Sequence, residues 1–293
     1  MALQRLPIIG LAVDESPSEA VQRAAFEAAE IEIQIERWER RPHQLADAIA
    51  ALRKDKGAIG AMVHSPHKEK VPALLDGLSD DAKASGAANV VVRDGTKLRG
   101  HNTDADGIRA GLTSVLPKVK GKWPRQAIVL GAGGGARAAV AVLIQSGFQH
   151  VSVFNRHLHK AEALVNYFGR SARHMELRAR PWHEAILEAE LAKSPLLIHA
   201  IAETDPNASP LPDDILPEGL AVLDLSLSAI PTPLMRAAKA RGGSVANGQA
   251  SFLAASGIAF RLWTKQEAAA GVMQSALEAA LGTPEAEDTV VGD

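Results

Sequence analysis

The stretch that most constrains the fold is residues 127–136, which read Ala-Ile-Val-Leu-Gly-Ala-Gly-Gly-Gly-Ala. Its apolar residues are typical of a buried strand, and the glycines after them fit the G-x-G-x-x-G/A pattern of dinucleotide-binding turns. Gly131 permits a tight turn, Gly133 lets backbone N–H groups approach a pyrophosphate, and small Ala136 lets the next helix pack closely on the strand. The pattern predicts a dinucleotide site built from six consecutive residues, Gly131, Ala132, Gly133, Gly134, Gly135 and Ala136.

The residues after this turn predict a βαβ unit. We expect a helix over about residues 134–146, whose N-terminal end directs its positive dipole at the phosphates. A second apolar strand at residues 151–154 completes the unit, and the apolar stretches 196–200 and 220–225 suit the interior of a parallel sheet. The sequence therefore predicts a Rossmann-type domain over residues 117–247, with residues 117–125 as its hinge.

The end of the second strand indicates which dinucleotide is bound. An acidic residue in this region would accept hydrogen bonds from a ribose 2′-hydroxyl and repel a 2′-phosphate. This chain instead has Asn155 followed by Arg156, with Lys160 one turn later. An arginine offers a planar cationic group that binds phosphate, so the sequence favours NADP over NAD.

The N-terminal part of the sequence predicts a separate α/β domain. Residues 7–13, 31–35 and 58–63 predict three strands, with helices over 19–30 and 43–54 between them. We expect Ser18 to cap the first helix, a new helix to begin at Pro66, and a hairpin over residues 90–99. Residues 102–104 are typical of a helix N-terminus.

Helices are predicted to dominate the C-terminal region. After a loop at 204–217, we expect helices over 232–241, 247–264 and 266–281. The last helix is expected to pack back on the first domain, and the acidic stretch 283–293 to be a frayed tail.

Composition excludes several function classes. The formal net charge of −2 gives no argument for non-specific nucleic-acid or membrane binding, and the absence of cysteine excludes disulfides and thiolate catalysis. The histidines are scattered, so we expect no metal site. We find no targeting segment or apolar span of about 20 residues, and expect a soluble cytoplasmic protein with a small-molecule substrate. The oligomeric state stays open, with a homodimer as one candidate.

A set of short motifs, in fixed order over about residues 7–265, resembles the shikimate/quinate dehydrogenase family. Besides the glycine turn, the motifs are Ser16-Pro17-Ser18, Pro66-His67-Lys68-Glu69, Gly86-Ala87-Ala88-Asn89, Asn102-Thr103-Asp104, Asn155-Arg156, Thr232-Pro233-Leu234 and Phe260-Arg261-Leu262-Trp263. The resemblance implies an α/β fold of two domains. One is an N-terminal substrate domain (residues 1–116), to which C-terminal helices (248–293) return, and the other is the Rossmann-type domain. It also implies a role in aromatic amino-acid biosynthesis.

The resemblance also implies roles for individual residues. Lys68 and Asp104 would form the proton-transfer pair, Asn89 would bind a ring hydroxyl, and Ser16 and Ser18 would donate hydrogen bonds to a substrate carboxylate. His64 is either a substrate contact or a neutral histidine satisfied by a turn carbonyl. The cofactor contacts beyond the glycine turn would be Asn155, Arg156, Lys160, Ala200, Leu225 and Gly248.

This chain departs from the family pattern at several substrate-pocket positions. The usual Asn-Val-Thr is Met62-Val63-His64, the usual tyrosine is Leu227, and the usual glutamine on the C-terminal helix is Ala255. Because changed polar contacts usually change the preferred substrate, three hypotheses remain. The chain is an NADP-dependent dehydrogenase of shikimate and 3-dehydroshikimate, a paralogue acting on quinate or another polyol or keto-sugar, or an NADP-binding sensor without catalysis.

Overall fold

The first of two six-stranded sheets is built by the N-terminal part of the chain. The computed structural model describes residues 3–11, 16–116, 124–201 and 208–282. The strand order is β2-β1-β3-β5-β6-β4, with β1, β2 and β3 parallel and β5 antiparallel to both of its neighbours. The elements are β1 (Gln4–Gly10), α1 (Ser18–Ala28), β2 (Ile33–Glu39), α2 (Leu45–Lys54), β3 (Gly60–Val63), β4 (Gly77–Leu78), α3 (Asp80–Ser85), β5 (Val90–Asp94), β6 (Lys97–His101) and α4 (Asp104–Val115).

The second sheet is parallel throughout and has the order β12-β11-β10-β7-β8-β9. Its central strands are apolar and buried, as expected for a sheet covered by helices on both faces. The elements are β7 (Gln126–Leu130), α5 (Gly134–Gln145), β8 (His150–Asn155), α6 (Leu158–Phe168), β9 (Glu176–Pro181), α7 (Glu184–Leu191), β10 (Leu196–His199), β11 (Ala221–Asp224), α8 (Pro233–Ala240) and β12 (Val245–Ala246).

Two C-terminal helices, α9 (Gly248–Thr264) and α10 (Ala270–Leu281), return to the first sheet. Phe260 of α9 and Met273 of α10 lie in one buried cluster with Phe26 of α1, as the sequence predicted. Helix α9 also packs closely on α4, because a Cβ at Gly107 would lie only 2.1 Å from the backbone oxygen of Ser251. Helix α9 therefore lies beside both the first sheet and the start of α4.

Two local predictions were wrong. No α-helix begins at Pro66: the chain runs through turns into a short 3₁₀ segment, Val71–Leu74. In a helix the carbonyl of Lys68 would bond the N–H of residue 72, but Pro72 has none, and this carbonyl accepts from Ala88 N at 2.8 Å. Ser18 does not cap α1, because it is already helical.

Three strands were not predicted from the sequence. Strands β4 and β12 have two residues each, and β9 is a half-exposed edge strand rich in charge. The predicted hinge falls mostly, and the tail entirely, outside the described residues, as do parts of the first predicted strand and of the loop at 204–217.

Candidate active site

Lys68 and Asp104 form an ion pair although they lie 36 residues apart. Lys68 lies in the turns that follow β3, and Asp104 is the first residue of α4. The lysine Nζ donates to Asp104 Oδ2 at 2.7 Å, and the two side chains are 22% and 20% exposed. The structure therefore places an ammonium and a carboxylate in contact where a ligand can still reach them.

Asn89 fixes the carboxylate from its other side. Its Nδ2 donates to Asp104 Oδ1 and to Thr103 Oγ1, both at 2.9 Å, and its Oδ1 accepts from the backbone N–H of Thr103 at 2.8 Å. Both amide hydrogens of Asn89 are thus committed to the protein. The carboxylate of Asp104 is held by Lys68 on one oxygen and by Asn89 on the other, which fixes its orientation.

His64 lies at the start of the same turn as Lys68. Its backbone N–H donates to Ile9 O at 2.8 Å, whereas its ring has no hydrogen bond to any described residue. Burial, together with the nearby Lys68 ammonium, lowers the pKa of the imidazole to about 4 against the opposing effect of Asp104. His64 is therefore neutral at physiological pH and available to a ligand.

Ser16 and Ser18 lie at the start of α1. The hydroxyl of Ser16 donates to the Ser18 hydroxyl at 2.9 Å and accepts from the Ser18 backbone N–H at 3.3 Å. Ser18 is buried and lines the same cleft as Lys68, whereas Ser16 does not line it. One turn further along α1, Gln22 also reaches this cleft.

The cleft is open to solvent and has a cavity volume of about 80 Å³. Strand ends and turns of the first sheet form one side, and α1 and α9 form the other. Ala255 lies in its wall, whereas Leu227 does not line it. The lining residues are Ser18, Gln22, Met62, Val63, His64, Lys68, Asn89, Val90, Thr103, Asp104, Phe252, Ala255, Ser256 and Ala259.

The glycine turn lies directly beside Lys68. Gly131 has a φ of +113°, and a Cβ there would lie 2.6 Å from Ala200 O. At Gly133 the space is open, since a Cβ would find only Glu69 Oε1 within 4 Å among the described residues, at 3.6 Å. A Cβ at Gly134 would lie 3.0 Å from both Cβ and Cδ of Lys68. The turn can therefore accept a phosphate group at Gly133, and it places the start of α5 against the ion pair.

The other predicted cofactor residues divide into two groups. Ala200 and Leu225 face Gly135, and a Cβ at Gly248 would lie 2.5 Å from Leu225 O, so these three surround the glycine turn. The second group lies at the end of β8, where Asn155 Oδ1 accepts from the backbone N–H of residue 157 at 2.9 Å. There Arg156 and Lys160 are exposed at the start of α6.

A buried pair, His199 and Asp224, was not predicted as part of any site. The imidazole Nδ1 donates to Asp224 Oδ1 at 2.9 Å, and the carboxylate also accepts from the hydroxyls of Ser226 and Thr232. Burial alone would raise the pKa of Asp224, but the hydrogen bonds from His199, Ser226 and Thr232 outweigh it and lower the pKa to about 2. The only sequence signal was a charged residue ending an apolar strand.

Within the described ranges, no helix is long and apolar enough to cross a membrane. The same residues contain no group of three or more histidine and carboxylate side chains that could hold a metal ion.

A parallel sheet with a glycine turn beside an ammonium–carboxylate pair is typical of one class: a Rossmann-type oxidoreductase that uses a nicotinamide dinucleotide. Residues 8–91 match the family model of the shikimate dehydrogenase substrate binding domain, and residues 116–207 match that of shikimate / quinate 5-dehydrogenase. A shikimate dehydrogenase (NADP(+)) of Geobacter metallireducens is 34% identical over 278 residues, covering 94% of this chain and 96% of that protein. The chain belongs to the shikimate/quinate dehydrogenase family.

Solved structures of the family agree with this fold. A shikimate 5-dehydrogenase of Thermus thermophilus, in complex with NADP(H) and shikimate, superposes with a TM-score of 0.78 at 31% identity, covering 95% of this chain and 100% of that one. A quinate dehydrogenase of Corynebacterium glutamicum, in complex with NAD, superposes with a TM-score of 0.80 at 26% identity, covering 94% of this chain and 99% of that one. A 5-ketofructose reductase of a Gluconobacter strain superposes with a TM-score of 0.76 at 26% identity, covering 95% of this chain and 99% of that one. The relatives thus differ in both substrate and cofactor.

Proposed function

We propose that this protein is an NADP-dependent dehydrogenase that interconverts a secondary alcohol and a ketone on a polyhydroxylated ring. Shikimate and 3-dehydroshikimate are the first pair to test, in the step of aromatic amino-acid biosynthesis that the resemblance implies. The observation that carries the proposal is the contact of Lys68 with both Asp104 and Gly134. Shikimate is favoured as the substrate because the relatives include shikimate dehydrogenases. This chain also has Ser18 and Asn89 at the positions where the family motifs place substrate contacts.

In this proposal Lys68 handles the proton of the reaction. The bound nicotinamide would accept or donate the hydride, and the alcohol oxygen must lose or gain a proton at the same time. The Lys68 side chain packs against Gly134 of the glycine turn, and Asp104 holds its ammonium in place with Asn89 behind the carboxylate. Lys68 is therefore the proton donor and acceptor, and Asp104 orients it and stabilises its charged form.

We assign the substrate to the cleft and the dinucleotide to the second sheet. The substrate domain comprises residues 1–116 and 248–293, and the dinucleotide domain comprises residues 117–247. Ser16 and Ser18 are proposed to bind a substrate carboxylate, and Asn89 and His64 to bind ring hydroxyls. Because both Nδ2 hydrogens of Asn89 are used within the protein, its contact with substrate is through an oxygen lone pair.

NADP is the proposed cofactor, and the residues present fit it. The open space at Gly133 and the N-terminus of α5 would hold the pyrophosphate, with Ala200, Leu225 and Gly248 around the turn. Arg156 and Lys160 would hold the 2′-phosphate, since Arg156 follows β8, Lys160 lies in the first turn of α6, and both are exposed cations. Asn155 orders the backbone next to them.

The test is a substrate panel with NADP and NAD, followed by the absorbance of the reduced nicotinamide. Saturable turnover of shikimate with NADP, lowered at least about 100-fold by Lys68→Met, is the expected result. Binding of NADPH by wild type and variant, without turnover of any panel member by either, would instead favour the sensor hypothesis and contradict the proposed chemistry.

A second candidate is a related enzyme that acts on quinate or on another polyol or keto-sugar. Apolar Met62 and Ala255 in the cleft wall favour it, because neither side chain offers a hydrogen bond to a carboxylate or hydroxyl. The quinate dehydrogenase and 5-ketofructose reductase among the relatives show that the fold supports such reactions. Quinate tested with NADP, and 5-ketofructose tested with NADPH, distinguish this candidate from the first.

A further inference from the structure

Gln22 is a buried side chain of the cleft to which the proposed reaction gives no role. It is 1% exposed, lies one turn after Ser18 on α1, and lines the cleft together with Ser256 of α9. Its Nε2 donates a hydrogen bond to the backbone oxygen of Ser256 at 2.9 Å. Its Oε1 is enclosed and has no hydrogen-bond partner among the described residues.

An enclosed amide oxygen without a partner opposes folding, because it loses its hydrogen bonds to water and gains none. Such groups are uncommon in native proteins, and each needs an explanation. The contact with Ser256 fixes the orientation of the Gln22 amide, since only the nitrogen can donate to a carbonyl oxygen. The oxygen is therefore held as an acceptor beside the cleft, ready for a donor that the protein itself does not supply.

The chemistry of this oxygen restricts its partner to a hydrogen-bond donor. A ketone or an ionised carboxylate offers only acceptors and would be repelled, whereas a hydroxyl can donate. The charged side chains that line the cleft are Lys68 and Asp104, and these are paired with each other. The part of the cleft between α1 and α9 therefore suits a neutral hydroxyl group.

The position of Gln22 also separates it from the reacting atoms. Lys68 lies in the turns after β3 and Asp104 begins α4, whereas the Gln22 amide is hydrogen-bonded to the middle of α9. A substrate that donates to Gln22 would do so through a different hydroxyl from the one whose proton Lys68 takes. The hydroxyl of Ser256 lines the same wall and can support this contact.

We propose that Gln22 is a specificity-determining residue that accepts a hydrogen bond from a second, unreacting hydroxyl of the substrate. This inference rests on the proposed dehydrogenase function, because it concerns the substrate of the same cleft. It names the substrate class as a polyol or hydroxyketone with a free hydroxyl on the α1–α9 side. Gln22 takes no part in the proton transfer. Its loss therefore affects substrate binding and discrimination between substrates more than the chemical step.

The test uses Gln22→Met, which keeps the length of the side chain and removes both polar atoms. Wild type and variant are assayed with NADP on shikimate, its monodeoxy analogues and quinate, and with NADPH on 5-ketofructose. For the best substrate we expect KM to rise at least tenfold while kcat changes less than threefold. For the analogue that lacks the hydroxyl bound by Gln22, we expect wild type and variant to have equal kcat/KM. The matched control is Gln274→Met, an exposed glutamine on α10, which leaves all constants unchanged.

A thermal unfolding measurement without substrate separates this role from a structural one. We expect the Tm of Gln22→Met to equal or exceed that of wild type, because the variant removes an unsatisfied buried oxygen together with one hydrogen bond. A lower Tm with an equal loss of activity on every analogue would overturn the inference. Unchanged KM and unchanged discrimination would also overturn it.

Failure of the proposed function has a different signature. If wild type turns over no panel member, the dehydrogenase proposal fails, and the same ligands are then tested for a rise in Tm in the presence of NADP. A rise that requires both the ligand hydroxyl and Gln22 supports the inference. No rise with any ligand, or an equal rise in wild type and Gln22→Met, overturns it.

Discussion

Replacing Lys68 by methionine is the perturbation that tests the proposed chemistry most directly. Methionine preserves most of the packing against Gly134 but cannot carry a proton. General acid–base catalysis contributes about 10²- to 10⁴-fold, so we expect kcat to fall by this factor, which corresponds to about 2.7–5.4 kcal/mol of transition-state stabilisation. The assay is steady-state turnover with NADP, with NADPH binding followed by fluorescence.

The companion change, Asp104→Asn, tests whether the pair acts as a unit. Asparagine keeps the shape but loses the charge that holds the ammonium at 2.7 Å. A hydrogen bond to a charged group contributes about 1.5–3 kcal/mol, so we expect a loss in kcat of about 10- to 150-fold. The double variant should have the same kcat as Lys68→Met alone, because Asp104 cannot orient a lysine that is absent.

Lys70→Met is the matched control, since Lys70 is exposed in the same turns and has no ion pair in the described chain. It should leave kcat within twofold of wild type, and all variants should bind NADPH normally. Retention of more than about one tenth of kcat by Lys68→Met, or strictly additive effects in the double variant, would refute the assigned roles.

Three further predictions concern stability, geometry and cofactor choice. Asp224→Asn should lower the free energy of unfolding by about 3 kcal/mol. Because the folded pKa of about 2 lies below the ordinary 3.8, wild type should also lose about 2 kcal/mol from this group as pH falls from 4 to 2, a loss absent from the variant in urea unfolding at each pH. Gly134→Ala should displace Lys68 and lower kcat with NADPH binding largely kept; Gly257→Ala on α9, where a Cβ meets nothing within 4 Å, is its control. Arg156→Asp should raise the Kd for NADP at least tenfold and leave that for NAD within threefold in calorimetric titrations, and equal losses for both would contradict the 2′-phosphate assignment.

The sequence predicted features whose cause is local. The glycines after a buried strand predicted the turn and the start of α5, because only a residue without Cβ fits beside Ala200 and tolerates the φ of Gly131. Periodicity predicted most helices, because burial on one face leaves a repeating pattern. Continuous apolar runs predicted the central strands, which are buried on both faces. The two-residue strands and the edge strand β9 carry too weak a pattern to be recognised.

The turn at Pro66 shows where local rules fail. A proline at a helix start is favourable, but it was the contact between the Lys68 carbonyl and Ala88, from a distant segment, that decided the backbone there. The error matters for the site, because Lys68 is held by turns and not at a helix start. Its position relative to Asp104 therefore depends on the packing of the sheet.

By itself the sequence determined the order of elements, the family and the residue types of the candidate site. Only the tertiary structure decided which of them meet: Lys68 with Asp104 and Gly134, His199 with Asp224, and Gln22 with the backbone of Ser256. The physical reason is that periodicity and turn chemistry act over a few residues. Contacts across tens or hundreds of residues depend instead on how sheets and helices pack, and no local pattern encodes which polar atom that packing leaves without a partner.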